Sequence, residues 1–328
     1  MKVGLIVEGT DHFLKPIEAE LRRRHRVERF VPHFVRLPLI GKRVNDLLLV
    51  RQLQTFLEQN DVVFCEWAGE LSRLTSRLDT STPLVLRAHR TELYDDQSAM
   101  SWGRFKRVIF VSQRMQSTLA NPALTERAQV VYNGVDLQRF VPPARSFDWR
   151  LGMLGALTPR KRVYDVICAL APLNTPWHLQ VGGPPVKEHE DYWVALQTLA
   201  ARPELRSRVA FDGLVRDSAW WMANIDVYVS ASYSEGHQVA LLEAMASGCY
   251  CLSHCWAGAE EVLPEEYLFV TDQDLRDKLT AYAALPNEER RVHQQRMRAI
   301  AEERFDERRM VSEIVGQIES VAALSGRK

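Results

Sequence analysis

SEGHQVALLEAMASG, at residues 234–248, is the stretch from which the fold is most directly inferred. It follows the apolar run DVYVSAS at residues 226–232, where β-branched and aromatic residues alternate as in a buried strand. After a polar turn, Leu, Ala, Glu and Met dominate and favour a helix, and Gly248 stands where helices commonly end. The stretch therefore predicts a strand, a tight turn and a helix in succession.

Two carboxylates belong to this unit, Glu235 in the turn and Glu243 in the helix. Ala240, Glu243 and Ser247 share one helical face, so Glu243 is flanked by small residues and is expected beside a cleft. The free N–H groups at the helix start make an anion site suited to phosphate. Each carboxylate also has an ordinary interpretation, Glu243 as a solvated surface acid and Glu235 as an acid favoured by the helix dipole.

The composition is that of a globular chain without strong charge. Its 328 residues suggest two domains of about 150 residues each. Lys plus Arg and Asp plus Glu number 42 each, which argues against a nucleic-acid coat protein. No apolar run of about 18 residues is found, and MKVGLIVEGT is too short and polar for a signal peptide. Five cysteines indicate free thiols, so we expect a cytoplasmic protein.

Strands and helices alternate along the whole chain, which predicts parallel sheets covered by helices on both faces. The helical pattern is clearest at the end, at residues 274–284, 287–305 and 307–324. VYNGVDLQRFVPPARS, with its Asn-Gly and Pro-Pro, marks the boundary between two halves. Because ligands bind outside the carboxyl ends of strands in such sheets, two facing halves imply a cleft between them.

Glu235-x7-Glu243 closely resembles the signature of retaining glycosyltransferases of the GT-B fold, the family-4 type (glycosyl transferases group 1). YNGVDLQRF resembles the linker that ends their first domain, and LGALTPRKRVYDVICAL resembles the first strand, loop and helix of their donor domain. The resemblance implies an α/β GT-B fold, with two Rossmann-like doubly wound domains facing across a cleft. Its expected parts are an acceptor-side domain at 1–143, a nucleotide-sugar donor domain at 144–305, and a C-terminal helix at 306–328 packing back toward the first domain.

The resemblance assigns several residues to the phosphates of the donor. Lys161 matches the family lysine, but the family arginine position is Ala156, and Arg160 is the expected substitute. Fixed cations lower the barrier as a nucleotide diphosphate departs with its negative charge. The alternative is an ordinary basic helix start at residues 160–162, although cations there oppose the helix dipole. Four successive amides are expected to hold a phosphate, those of Gly236, His237, Gln238 and Val239.

Other assignments concern the ribose, the sugar and the base. By the resemblance, Glu243 binds the ribose hydroxyls, Glu235 lies near the transferred sugar, and His89 of VLRAHRTELY faces the sugar. His89 also has the ordinary interpretation of a strand-end histidine bonded to backbone. FDGLVRD resembles the segment whose backbone contacts the base, which indicates Gly213, Leu214, Val215 and Arg216. Gly182 and Gly9 are the glycines expected where the backbone approaches the donor.

The resemblance implies sugar transfer from a nucleotide-diphosphate sugar to a glycan, lipid-linked or small-molecule acceptor, with retention of anomeric configuration. In that scheme the departing phosphate helps to deprotonate the acceptor, and no dedicated base is required. We identify no Asp-x-Asp placed as in metal-dependent glycosyltransferases, so no metal and no cofactor are expected. Two alternatives stay open. One is a GT-B epimerase or hydrolase of nucleotide sugars, and the other is a non-catalytic sugar-nucleotide binding module, which Ala156 favours.

A basic and aromatic segment at residues 14–44 suggests a second partner. It could dock on anionic lipid at the inner face of the membrane, or grip an anionic acceptor. The alternative is a solvated helix face beside a buried strand. The residues are Arg22, Arg23, Arg24, Arg26, Arg29, Arg36, Lys42 and Arg43, with Phe30, Phe34 and Leu39.

A cluster at Cys249, Cys251, His254 and Cys255 raises the question of a zinc site. Cys-x-Cys is a poor tetrahedral clamp, and residues 249 and 251 point to one side of a strand. We therefore expect these cysteines to be core residues.

Overall fold

The computed structural model describes residues 1–35, 41–90, 98–119 and 121–325. The chain divides into two compact units. Unit 1 is Met1–Asn133 together with the C-terminal segment from Arg308, and unit 2 is Gly134–Glu307. Each unit is built on its own parallel sheet.

The described elements are numbered in chain order. The strands are β1 Lys2–Val7, β2 Arg26–Arg29, β3 Val62–Glu66, β4 Leu84–Ala88, β5 Phe105–Phe110, β6 Ala128–Val130, β7 Arg150–Leu154, β8 His178–Gly182, β9 Val209–Gly213, β10 Val227–Ser230, β11 Tyr250–His254 and β12 Leu268–Phe269. The helices are α1 Lys15–Arg24, α2 Gly41–Glu58, α3 Glu70–Arg77, α4 Gln113–Thr118, α5 Val163–Leu170, α6 Glu190–Ala200, α7 Ser218–Ala223, α8 Val239–Ala246, α9 Asp272–Ala284, α10 Asn287–Arg304 and α11 Glu307–Ser325.

The sheet of unit 1 has the order β2-β1-β3-β4-β5-β6, with parallel pairing throughout. Strands β3 and β4 are buried along their whole length, which is why their sequences are almost continuously apolar. Both faces of this sheet are therefore covered, as parallel pairing requires.

The C-terminal helix α11 completes the core of unit 1. Its apolar positions recur at helical spacing and pack with side chains from β1 and α1. Leu5 and Ile17, for example, are fully buried in the same cluster as Ile314 and Ile318. The helix contributes Met310, Val311, Ile314, Val315, Ile318 and Val321 to this core.

The sheet of unit 2 has the order β12-β11-β10-β7-β8-β9, again with parallel pairs. The chain builds outward from β7 to β9, then returns to the other side of β7 with β10. The order thus reverses between β7 and β10, and a ligand in such a sheet binds outside the carboxyl ends of the strands at that point. Helix α8, which follows β10, is buried on nearly all sides and packs against α10.

The α/β class predicted from the alternation of strands and helices is confirmed by these two sheets. Helix α3 has no counterpart in the sequence prediction, and the reason is physical. Its fully buried positions are Ser72, Thr75 and Ser76, and its apolar residues Leu71 and Leu74, although at helical spacing, are only partly buried against the core, so the apolar pattern of this short helix is weak. Within the described ranges, no helix has the length and apolar character needed to cross a bilayer.

Candidate active site

Unit 2 has a small cavity at the point where its strand order reverses. The cavity lies at the carboxyl ends of β7, β8 and β10, where open α/β sheets bind ligands. Its lining combines small and apolar residues with one cation and three hydroxyls, and includes Gly155, Lys161, Gly182, Tyr228, Ser230, Ser232 and Gln238.

The floor of this region is made of main chain. Gly155 N–H donates to the carbonyl of Gly182 at 2.9 Å, and Gly183 N–H donates to that of Gly213 at 2.6 Å. Gly155, Gly183 and Gly213 have φ of 152°, 130° and 63°, a region that favours glycine. A Cβ on Gly183 would lie 1.9 Å from the carbonyl oxygen of Gly155, so only glycine fits there. Gly182, Gly183 and Gly213 stand out in the sequence as glycines that follow strands, whereas Gly155 was not predicted as a site residue.

Glu235 accepts three hydrogen bonds on a single oxygen. Its Oε1 lies 2.6 Å from Lys161 Nζ, 2.8 Å from Arg160 Nη1 and 2.7 Å from Ser232 Oγ. The residue is only 8% exposed. Burial would raise the pKa of the Glu235 carboxyl, but Lys161 and Arg160 outweigh burial and hold that pKa below its usual range.

Lys161 and Arg160 reach this position because their loop is tied to the end of β10. They belong to a single 3₁₀ turn, Pro159–Lys161. Tyr233 N–H donates to the carbonyl of Arg160 at 3.0 Å, and Arg160 Nη1 donates to that of Ser234 at 2.8 Å. The structure therefore brings the two cations to the turn that carries Glu235.

The third cation of the basic run serves another purpose. Arg162 adopts the left-handed conformation, with φ of 56°, at the start of α5. Its guanidinium donates to Asp165 at 2.9 Å and to Asp272 at 3.0 Å, and lies over the ring of Tyr233. Arg162 thus fixes α5 and α9 instead of facing the cavity.

In the turn before α8, the side chains of His237 and Gln238 pack against other residues of unit 2. The Gln238 amide accepts from Ser230 Oγ and lies 3.5 Å from the hydroxyl of Tyr228, while the His237 ring packs against Phe305. Gln238 is the N-cap residue, and no side chain caps the helix. The first amides of a helix have no helical acceptors, and the start of α8 is therefore a place where an anion can bind.

Glu243 lies on the open side of α8 and differs sharply from Glu235. Burial raises its pKa to about 7, and Arg139 and a hydrogen bond from Ser218 lower it only in part. Ser218 Oγ, at the start of α7, lies 3.4 Å from Glu243 Oε1. The two glutamates of one motif therefore occupy opposite electrostatic environments.

The segment after β9 is open to solvent. Leu214 is 67% exposed, and Arg216 is exposed as well. A Cβ on Gly213 would meet no atom within 4 Å. Of the adjacent pair Trp220 and Trp221, the first is exposed and the second is buried.

His89 belongs to unit 1 and is part of a buried polar cluster there. Its Nε2 lies 2.7 Å from Oε1 of Glu66, which Arg87 also approaches to 3.3 Å. The imidazole stacks on Phe13 and Trp67, with ring centroids 5.3 and 4.1 Å away. The sequence analysis missed Glu66, whose only signal was a charged residue in the otherwise apolar run VVFCE.

Trp67 adopts φ of 80°, unusual for a bulky side chain. Its ring lies next to Gly9, which also has a positive φ, and a Cβ on that glycine would sit 3.4 Å from the ring. Trp67 and Gly9 therefore form one packed corner of unit 1.

Cys249 and Cys251 are buried in the core of unit 2, as predicted. The prediction was wrong for Cys255, which is exposed because it follows the end of β11. The sequence does contain an Asp-x-Asp at Asp272 and Asp274, which the sequence analysis passed over. Asp272 binds Arg162, and Asp274 accepts from the amide of Val270. Across the described part of the chain, no group of three or more His, Cys, Asp or Glu is arranged to hold a metal ion.

Comparison with known proteins identifies the family. Residues 2–139 match the family described as Glycosyltransferase Family 4, and residues 149–285 match Glycosyl transferases group 1. HepE from Anabaena, solved in complex with UDP and glucose, has a TM-score of 0.79 at 20% identity. The match covers 98% of this chain and 100% of HepE. The likeness confirms the GT-B fold.

Two curated relatives are similar over part of their length. The lipopolysaccharide core biosynthesis mannosyltransferase LpcC of Rhizobium leguminosarum bv. viciae is 31% identical over 157 residues, covering 44% of this chain and 43% of LpcC. LpsB of Rhizobium meliloti (strain 1021), described likewise, is 24% identical over 209 residues, covering 56% of this chain and 59% of LpsB. The matched regions thus span about half the length of these relatives. The two family matches together extend over both units, and the chain belongs to the family-4 type glycosyltransferases of the GT-B fold.

Proposed function

We propose that this protein transfers a sugar from a nucleotide-diphosphate sugar to a carbohydrate acceptor with retention of anomeric configuration. One observation carries the proposal. Lys161 and Arg160 converge on Glu235 in the turn that precedes α8, at the point where the strand order of unit 2 reverses. Two cations and a row of backbone amides at such a point form a site for a diphosphate.

In this proposal each residue acts on a different part of the donor. Lys161 and Arg160 stabilise the negative charge that develops on the leaving diphosphate, and the amides after Gly236 hold a phosphate. Glu243 accepts hydrogen bonds from the ribose hydroxyls, and Glu235 lies near the transferred sugar. Because these cations can neutralise the leaving group themselves, we propose that the reaction does not need a metal.

His89 is the proposed sugar-facing residue of unit 1. Its position supports that role because Glu66 and the rings of Phe13 and Trp67 hold the imidazole in one orientation. A ring held in this way is preorganised for one hydrogen bond. The base is proposed to meet Gly213, Leu214 and Arg216.

The relatives narrow the choice of donor and acceptor. HepE was solved with UDP and with UDP-glucose, while LpcC and LpsB are described as lipopolysaccharide core mannosyltransferases. We propose a nucleotide-diphosphate hexose as the donor and a lipid-linked saccharide as the acceptor.

Thermal melting in EDTA with UDP, GDP, ADP and their hexose conjugates tests the donor site. A ligand that binds the folded state raises the melting temperature by mass action, so one nucleotide should stand out. The anomeric configuration of the product, read by NMR, then tests retention. If no nucleotide raises the melting temperature with or without divalent metal, the donor-site proposal is wrong.

The two alternative functions predict different products. A hydrolase or epimerase consumes the donor without an acceptor, whereas a binding module never turns it over. Ala156, at the position of the family arginine, is exposed, but Arg160 lies with Lys161 on Glu235. Arg160 thus supplies, from a different position in the chain, the cation that Ala156 lacks, and this favours an active transferase over a binding module.

A contact of unit 1 with an anionic membrane surface is a further part of the proposal. Val31, Phe34 and Leu47 are exposed apolar side chains, and Lys42 and Arg43 are exposed cations nearby in sequence. The loop and α2 are held together because His33 and Val35 bond to α2 side chains. Such a surface suits the interface of an anionic bilayer.

The arginine triplet of α1 contributes less to this surface than its charge suggests. Arg22 binds Glu18, and Arg23 and Arg24 bind Glu20. Arg36 and Leu39 of the predicted segment lie outside the described residues. Flotation with phosphatidylglycerol vesicles should therefore weaken with Phe34→Ser and Lys42→Glu combined, and change little with Arg23→Glu. Equal binding by all three proteins would contradict the contact.

A further inference from the structure

The two cations of the candidate donor site are already engaged by an anion, and that anion belongs to the protein. Oε1 of Glu235 receives Lys161 Nζ, Arg160 Nη1 and Ser232 Oγ, all within 2.8 Å. A single phosphate oxygen bound by a lysine, an arginine and a hydroxyl would have the same set of partners.

This arrangement relieves a local electrostatic problem. Lys161 and Arg160 converge on one oxygen, and their side chains are only 16% and 33% exposed. Two like charges so close would repel each other in a poorly solvated place, and the carboxylate between them offsets that repulsion.

Glu235 and a bound diphosphate would therefore compete for the same donors. We propose that Glu235 is an internal counter-ion, which occupies Lys161 and Arg160 until the diphosphate of a nucleotide displaces it. Once displaced, the carboxylate is free to meet the sugar of the donor. The inference rests on the proposed function, because it takes the cation pair to be the diphosphate site.

The inference predicts a gain in affinity that a simple sugar contact does not predict. If Glu235 only bound the sugar, Glu235→Gln would leave the binding of sugar-free ligands unchanged. As a counter-ion, its neutralisation frees both cations. We expect Glu235→Gln to bind inorganic pyrophosphate and UDP about tenfold or more tightly than wild type, the size of one charge-assisted hydrogen bond.

Isothermal titration of the full chain with inorganic pyrophosphate, UDP, GDP and ADP tests this directly. Glu266→Gln is the matched control, because it removes a carboxylate paired with Arg296 at 2.6 Å on an exposed part of unit 2. It should leave every affinity unchanged. Glu235→Asp is the second variant, in case Glu235→Gln fails to fold. It keeps the charge but shortens the side chain by one methylene, which weakens the contacts with Lys161 and Arg160, and it should tighten pyrophosphate binding about two- to fivefold.

Each outcome has a distinct meaning. Tighter pyrophosphate binding by Glu235→Gln supports the counter-ion, and equal or weaker binding overturns it while nucleotide binding by wild type still supports the donor site. If Glu235→Gln binds pyrophosphate more tightly than wild type but no nucleoside diphosphate binds better than pyrophosphate, the counter-ion role of Glu235 is supported and the proposed donor site is wrong. If no protein binds any of these ligands, both are wrong.

Discussion

Lys161 Nζ lies 2.6 Å from Glu235 Oε1, although 74 residues separate them in the chain. The contact joins the loop after β7 to the turn after β10, the two strands between which the order of the sheet reverses. Loop, turn and strand order therefore specify one location in unit 2.

Replacing Lys161 removes a charge-assisted contact to the proposed leaving group. Such contacts contribute about 1.5–3 kcal/mol, so Lys161→Ala should lower turnover roughly ten- to a hundredfold. Steady-state kinetics with the donor found by thermal melting provide the measurement. Lys278→Ala is the control, since that lysine binds the carbonyl of Glu266 from α9. Full activity of Lys161→Ala would remove Lys161 from the mechanism.

Nucleotide binding should depend on pH through Glu243. Its pKa is raised to about 7 by burial, and the proposed ribose contact needs the carboxylate. Affinity should therefore fall as pH drops below 7, approaching tenfold per pH unit. The phosphates of the ligand also titrate. The affinity of Glu243→Gln is therefore measured in parallel, because its pH dependence reports the phosphates alone. Parallel pH profiles for the two proteins would argue against the ribose contact.

The raised pKa of Glu243 also means that its ionised carboxylate destabilises the folded protein. Its pKa is about 7 in the folded chain against an ordinary value of 4.5, so between these pH values the folded state keeps a proton that the unfolded chain has released. The free energy of unfolding then declines as pH rises through this window, by up to about 3 kcal/mol.

Glu243→Gln should remove this decline. At pH 8 the variant should be more stable than wild type by about 1–3 kcal/mol, or about 2–4 °C in melting temperature for each kcal/mol. At pH 4.5 the two proteins should melt alike. A variant less stable than wild type at pH 8 would show that the carboxylate is stabilised by contacts other than those described.

The close backbone approach at Gly183 can be tested with a matched pair of glycine substitutions. Gly183→Ala places a Cβ 1.9 Å from the carbonyl oxygen of Gly155 and should destabilise the protein by about 3 kcal/mol or more. Gly213→Ala has a positive φ but open space, so it should cost only about 1–2 kcal/mol. Urea unfolding measures both. Equal effects would mean that backbone conformation, and not the close approach, requires the glycine.

Glu66 should support both the stability of unit 1 and the orientation of His89. Glu66→Ala leaves the fully buried Arg87 without its carboxylate, which should cost about 3–5 kcal/mol. Glu20→Ala, which removes an exposed partner of Arg23 and Arg24, should change stability little. Denaturant unfolding followed by a probe in unit 1 distinguishes the two, and near-wild-type stability of Glu66→Ala would contradict the buried pairing.

Much of the fold was predictable because parallel strands are buried on both faces. The apolar runs at VVFCE and LVLRA need no tertiary information to be recognised as strands. Helix α3 was harder to predict, since its fully buried residues are Ser72, Thr75 and Ser76 and only Leu71 and Leu74 give it an apolar pattern. Two of the buried hydroxyls have carbonyl acceptors, since Ser72 donates to Trp67 and Ser76 donates to Arg73.

The candidate site was likewise only partly predictable from the sequence. A local motif identified Glu235 and Glu243, but not their opposite pKa shifts, because these depend on neighbours distant in sequence such as Lys161 and Ser218. The different role of Arg162 within the basic run depends on Asp272, far along the chain. Spacing alone carries no signal for such partners.

Helix α11 has a consequence for the order in which the protein matures. Every residue of unit 2 is synthesised before Ile314 and Ile318, which fill the core of unit 1. The N-terminal half therefore cannot complete its core until the last helix has been made. We expect a chain truncated after Glu307 to resist protease in unit 2 while unit 1 is cleaved, the reverse of N-terminal-first maturation.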